Sequence, residues 1–275
     1  MMKKIIFFLS LALSIAVLQS CEKDPKPEDG LAPQLPPAES FIMPFTGFES
    51  VDTPGVASDD LEFRGPTYRN WFHAASNVFV WNTVLAVNMA IPVASFLEAF
   101  NHNPTYEGNG IFVWSYDVQV AGQTYIASLS GQFVNNNEDV EWIMTVSQVG
   151  GFSDFVYYSG IVATDGSEAT WTLNHKPLSP EPYIGVDYQK NLATQDISIR
   201  YTNVIPNNPD NGDYIEYRND AAGDFNRAYD VNRGADDFLE ILWNVPSNEG
   251  RVRHERRFGD TDWHCWDTQL MDTDC

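Results

Sequence analysis

The residues in this chain best equipped for chemistry gather late. Arg251, Arg253, His254, Arg256 and Arg257 fall in one short stretch. Planar guanidinium groups beside an imidazole can grip a carboxylate, phosphate or sulfate. The chain carries 38 acidic residues, so pairing with Asp and Glu across a sheet is the simpler expectation for these arginines. Just beyond them stand Cys265 and Cys275. A pair this close is expected to form a disulfide in an oxidising compartment, and closing so short a loop contributes about 2–3 kcal/mol. His264 lies next to Cys265, but two cysteines and one histidine do not match a zinc spacing.

Other stretches suggest chemistry and then fail its requirements. Asn207-Asn208-Pro209-Asp210-Asn211-Gly212-Asp213 looks like a calcium loop. Aligned on Gly212, Pro209 and Arg218 would occupy ligand positions that need oxygen side chains, so the stretch reads as a hairpin turn. Gly151-Phe152-Ser153-Asp154 is not a nucleophile elbow. His254 has no second histidine at helical spacing for zinc. A glycosidase needs two spaced carboxylates, and no pair among the acids stands out. The sequence therefore assigns no catalytic residue, no metal ligand and no cofactor.

A second candidate site is aromatic. Trp114, Tyr116, Tyr125, Trp142, Tyr157, Trp171, Tyr201, Tyr229 and Trp243 recur at alternating positions, joined late in the chain by His175, Arg227, His254 and Arg256. An apolar cavity with a few polar groups is what a small-molecule site requires. The nominated ligand-binding set is Trp114, Tyr116, Trp142, Trp171, His175, Arg227, Tyr229 and His254. The competing reading is a filled core in which phenols and indoles find internal partners.

These residues need elements to position them. Ser76–Phe100 contains no Asp, Lys or Arg, and its one acid is Glu98. It reads as one long buried helix, capped by Ser76, stopped near Pro104 and kinked or split at Pro92. From Ile111 the apolar period becomes two: Phe112, Trp114, Tyr116 and Val118 share a face, then Val140, Trp142, Met144 and Val146. Phe155, Tyr157, Ile161 and Ala163 follow, then Ala169, Trp171, Leu173 and His175. Ala121-Gly122, Asp165-Gly166 and Asn211-Gly212 are hairpin signals. The last strand is expected to carry Val252, His254, Arg256 and Phe258 on one side. Roughly ten short-linked strands predict a mainly β fold, an antiparallel meander forming a barrel or half-barrel around the helix; a β-sandwich with a helix is the alternative. Sheet and helix would each cover the other's apolar face. In order of elements this is similar to the half-barrel of lipoprotein-carrier proteins and, more loosely, to lipocalin-like barrels.

The N-terminus carries an address. Lys3 and Lys4 precede an apolar run from Ile5 to Val17, which Leu18-Gln19-Ser20-Cys21 closes. A short basic region, an apolar core and small residues make a secretory signal peptide. The Leu-x-Ser-Cys ending resembles the lipobox of bacterial lipoproteins. That resemblance implies cleavage before Cys21, acylation of Cys21 and anchoring in a membrane. With Glu22 and Asp24 following, it implies outer-membrane or surface delivery. Residues 1–20 are thus read as signal peptide, 21–40 as lipidated N-terminus and proline-rich tether, and 41–275 as one β-rich domain.

Losing Lys3 and Lys4 with the leader would move the formal charge from −22 to −24. Such a surface disfavours nucleic acid. The expected function is that of an outer-membrane-anchored binding protein for an apolar, amphipathic or carbohydrate ligand. The alternatives are an accessory subunit beside an outer-membrane protein partner, or a polymer hydrolase.

Overall fold

The computed structural model describes residues 30–45, 67–219 and 224–275. The expected signal peptide, Cys21 and residues 22–29 lie outside the described residues.

After a packed N-terminal segment come two helices, Arg69–Asn88 (α1) and Ala90–Glu98 (α2), and then strands. The first seven are Thr105–Gly108 (β1), Ile111–Val120 (β2), Gln123–Val134 (β3), Asp139–Gln148 (β4), Phe155–Ala163 (β5), Glu168–His175 (β6) and Glu181–Lys190 (β7). Ile197–Asn203 (β8), Tyr214–Asn219 (β9), Arg227–Asn232 (β10), Phe238–Trp243 (β11) and Gly250–Arg253 (β12) continue the meander. A single helical turn, Glu255–Phe258 (α3), precedes His264–Trp266 (β13) and Asp272–Thr273 (β14). Every strand pairs antiparallel with the next in sequence, giving one 14-stranded sheet with β1 and β14 at its edges. The expected closure into a barrel is therefore not what forms: the sheet stays open.

It nevertheless curls. α2 packs on β2, while α1 packs on β12, β13 and β14. From β2 to β13 a flat sheet would span about 50 Å. The helix pair, bent by 66°, reaches only about 40 Å end to end. The curled sheet carries cross-strand glycine–tryptophan pairs: Gly131 faces Trp142, Gly160 faces Trp171 and Gly250 faces Trp266. A Cβ on Gly160 would stand 2.3 Å from the Trp171 ring and 2.4 Å from the Thr170 carbonyl oxygen. The indole lies where a side chain would be, so only glycine fits opposite it.

The alternation read from the sequence holds for β2, β4 and the Ala169, Trp171 and Leu173 part of β6; the β6–β7 ladder slips after Leu173 and His175 is only half-buried. It fails in β5. The ladder between β4 and β5 slips between Met144 and Thr145, so Tyr158 and Val162 turn inward instead of Tyr157, Ile161 and Ala163. A bulge of this kind reverses the faces beyond it. The last expected strand also ends early. Beyond Arg253 the chain turns into α3, closed by Gly259 at φ 79°.

The single long buried helix is corrected to two helices. α1 begins at Arg69, well before Ser76. The break falls at Met89, three residues before Pro92. A proline ring clashes with the carbonyl four residues back, here Asn88, and lacks the N–H that would bond it. In the first turn of a new helix that N–H is not needed, so the chain bends at Met89 and Pro92 sits comfortably in α2. Nor is the pair buried all round: much of α1 is exposed.

Residues 31–40, expected to act as part of a spacer, are drawn into the fold. Pro33, Pro36 and Ser40 are buried, and Phe41, Met43 and Phe45 join the core. The segment is pinned by polar groups rising from the sheet. Trp171 Nε1 donates to the Ser40 carbonyl at 3.0 Å. The Tyr201 hydroxyl donates to the Phe41 carbonyl at 2.8 Å and accepts from the Met43 N–H at 2.8 Å. The Tyr229 hydroxyl donates to the Pro44 carbonyl. Phe41, Phe96, Tyr158 and Trp171 form one aromatic cluster, with ring centroids 4.7–6.4 Å apart.

Candidate functional site

The inward aromatic set packs mainly into the core, and Tyr201 also lines a pocket at the helix bend. Trp114, Tyr116, Trp142, Trp171 and Tyr229 are all buried in the core. The Tyr116 hydroxyl donates to the Ser95 carbonyl at 2.6 Å, and burial raises that phenol well above its ordinary pKa. Tyr229 stacks between Phe45 and Trp243. His175 lies apart from them at the end of β6, stacked on Tyr183 and 2.8 Å from Glu181. Arg227 binds the carbonyl of its neighbour Asn226. Two of the clustered arginines pair with acids as expected, Arg253 with Glu240 and Arg256 with Asp237, while Arg251 lies over the Trp263 ring at 4.3 Å. Cys265 and Cys275 form the expected disulfide.

His254 does join other polar groups. Its Nε2 is 2.8 Å from Asp237 Oδ1, and its Nδ1 is 2.9 Å from His73 Nε2. Arg233 and Arg256 hold the other Asp237 oxygen, at 3.3 and 3.0 Å. With Asp237 ionised, His254 donates from Nε2, and a single proton is shared between His254 Nδ1 and His73 Nε2. Burial is the main cause holding His73 down at a pKa of about 4, helped by His254, Arg257 and Arg233 and opposed by Asp237. Burial pushes the Asp237 carboxyl up, but its bonds to His254 and Arg233 outweigh that and lower it. An acid orienting a histidine is half of a catalytic triad. The other end here is a second imidazole, with no hydroxyl or thiol bonded to either ring among the described residues. The arrangement fastens α1 to the sheet.

A second fastening lies one turn earlier. The Asp272 carboxylate accepts from the N–H groups of Arg69 and Asn70, at 3.3 and 2.9 Å, and from the Thr67 hydroxyl. It caps α1 from β14, and Asn70 Nδ2 donates to the Cys265 carbonyl at 2.9 Å. The residues after Cys265 thus hold the helix N-terminus, and the disulfide holds those residues. Sequence reading missed His73, Asp237 and Asp272. The only local signal was His73 and Asn77, polar and four apart in a helix with no charged residue after Arg69.

What these fastenings present is an apolar surface. Phe72, Phe79, Val80, Val84 and Val87 fall on the outward face of α1, with Phe79 and Val87 58% and 74% exposed. A surface helix ordinarily turns a polar side to water; this one exposes apolar residues there as well, beside Thr83 and Asn88, and no charged residue lies between Asn70 and Leu97. Beside this face, at the helix bend, opens a pocket of about 210 Å³. Leu85, Met89 and Val93 line one side, Met43 and Phe45 the other, with Asn82 and the Tyr201 phenol as its polar groups. Drug-sized sites begin at about 300 Å³, so this one fits an apolar chain end.

No single helix among the described residues is long and apolar enough to cross a membrane; the bent pair meets that requirement only together. No cluster of three or more His, Cys, Asp or Glu suited to a metal occurs among the described residues. Comparison with protein-family models, curated proteins and solved structures found no match to this chain.

Proposed function

We propose that this is an outer-membrane-anchored lipoprotein that binds amphipathic lipid through the outward face and bend pocket of its helix pair. The observation that carries the reading is the apolar, uncharged outer face of α1 beside a pocket sized for a chain end. Position supports it. With Cys21 acylated, eight residues separate the anchor from Gly30, a reach of about 30 Å fully extended. The domain would then rest close to the bilayer, where a face free of charge meets lipid without desolvating ions. The filled aromatic core argues against a ligand carried inside the sheet.

The test uses the protein with Cys21→Ser, which has no acyl chain, and vesicles of phosphatidylcholine. Cosedimentation is expected, and Ala86→Trp, which fills the pocket from an exposed helix position, is expected to reduce it severalfold without changing the melting temperature. Absence of cosedimentation, or cosedimentation indifferent to Ala86→Trp, would reject the lipid reading. The first of these outcomes would leave the same face to an outer-membrane protein partner.

A further inference from the structure

We infer a second, separate binding site for a neutral saccharide at the end of the sheet formed by the β1–β2 and β3–β4 turns. It is independent of the helix-pair reading and uses none of its residues. Ile111, which opens β2, pairs with Gln132 near the end of β3, so the two turns lie side by side. Between them and Leu31 lies a cleft of about 710 Å³, within the range of small-molecule sites.

Three features give its chemistry. First, its lining contains no Asp, Glu, Lys, Arg or His. On a chain with 38 acids, that composition suits a neutral ligand. Second, it combines aromatic surface with amides. Tyr106 and Phe133 are half-buried, and Asn109, Gln132 and Asn137 stand among them. A sugar ring has an apolar C–H face for an aromatic ring and hydroxyls that both donate and accept. Side-chain amides match those hydroxyls, since each also donates and accepts. The Tyr106 hydroxyl accepts the Gly110 N–H at 3.2 Å, which leaves its own proton free to donate. Gln132 Nε2 gives one proton to the Asn109 carbonyl at 3.1 Å and keeps its Oε1 free.

Third, both turns are left-handed. Gly108, Asn109 and Gly110 have φ of 93°, 55° and 79°; Asn135, Asn136 and Asn137 have 50°, 59° and 69°. Runs of this kind are unusual, because each non-glycine residue in the left-handed region costs about 1–2 kcal/mol. Asparagine tolerates it best. Strain of this sort gathers at sites that need fixed geometry. Here it sets Asn109 and Asn137 rigidly at the rim.

The test is saturation-transfer NMR on the Cys21→Ser protein with four neutral probes: maltohexaose, cellohexaose, mannohexaose and galactohexaose. Transfer to at least one is expected. The variant Asn109→Gly/Asn137→Gly keeps both backbone conformations, since glycine accepts positive φ. Loss of two amides should weaken binding about tenfold or more with the melting temperature unchanged. No transfer to any probe would overturn the proposal. So would transfer undiminished in the double variant, or binding of an uncharged hexapeptide in place of every saccharide.

Discussion

The two helices meet the same sheet in different ways. α2 is held mainly by burial, with one bond from the Tyr116 hydroxyl to the Ser95 carbonyl: Phe96 is fully enclosed and stacks on Phe41, near Tyr158 and Trp171. α1 buries Trp71, Ala74, Val78 and Leu85, but it is also held by directional polar contacts: the Asp272 cap, the Asn70 amide and the His73–His254 bond. The buried residues of α1 are all apolar, so burial and the polar contacts favour the same side of the helix. Phe79, Val80 and Val87 are left outside, beside Thr83 and Asn88. The difference teaches where function lies, since an apolar face kept in water costs stability and needs a use.

The contrast can be broken from either end. Phe96→Ala should cost about 3–5 kcal/mol, seen as a lower urea midpoint for the whole domain. Asp272→Ala should cost less, about 1–2 kcal/mol, with faster hydrogen exchange at the first turn of α1 and little change in β2–β7. An equal loss of protection across the sheet would show that α1 is not separately fastened.

His73 gives a smaller, pH-dependent effect. Its folded pKa of about 4 lies below the ordinary histidine value near 6.5, so the unfolded chain takes up this proton first. The neutral form favours folding above pH 6.5, and that contribution is lost as pH falls from 6.5 to 4. Partial exposure reduces the effect to about 1–2 kcal/mol. His73→Gln can still hydrogen-bond to His254 and should flatten the loss between those pH values. Val87→Ser, on the open face, should change stability by less than about 0.5 kcal/mol.

Much of the sheet was legible because period-two alternation forces faces: Trp114, Trp142 and Trp171 turn inward as read. Tyr157 did not, because a one-residue slip beside Met144 leaves no local signature. The helix bend was read at Pro92 and lies at Met89, since proline acts on the carbonyl behind it. Residues 31–40 read as a spacer because prolines resist helix and strand; nothing in that composition shows that Tyr201, Trp171 and Tyr229 will hold the extended backbone. Asp272 and His73 were illegible for a plainer reason: their partners are about 200 residues away.

The most direct measurement is hydrogen exchange of the Cys21→Ser protein with and without phosphatidylcholine vesicles. The account predicts added protection confined to residues 72–90 and to Phe41–Phe45, around the bend pocket. Exchange unchanged in those segments while the vesicles are in excess, or protection spread evenly over the strands, would contradict it.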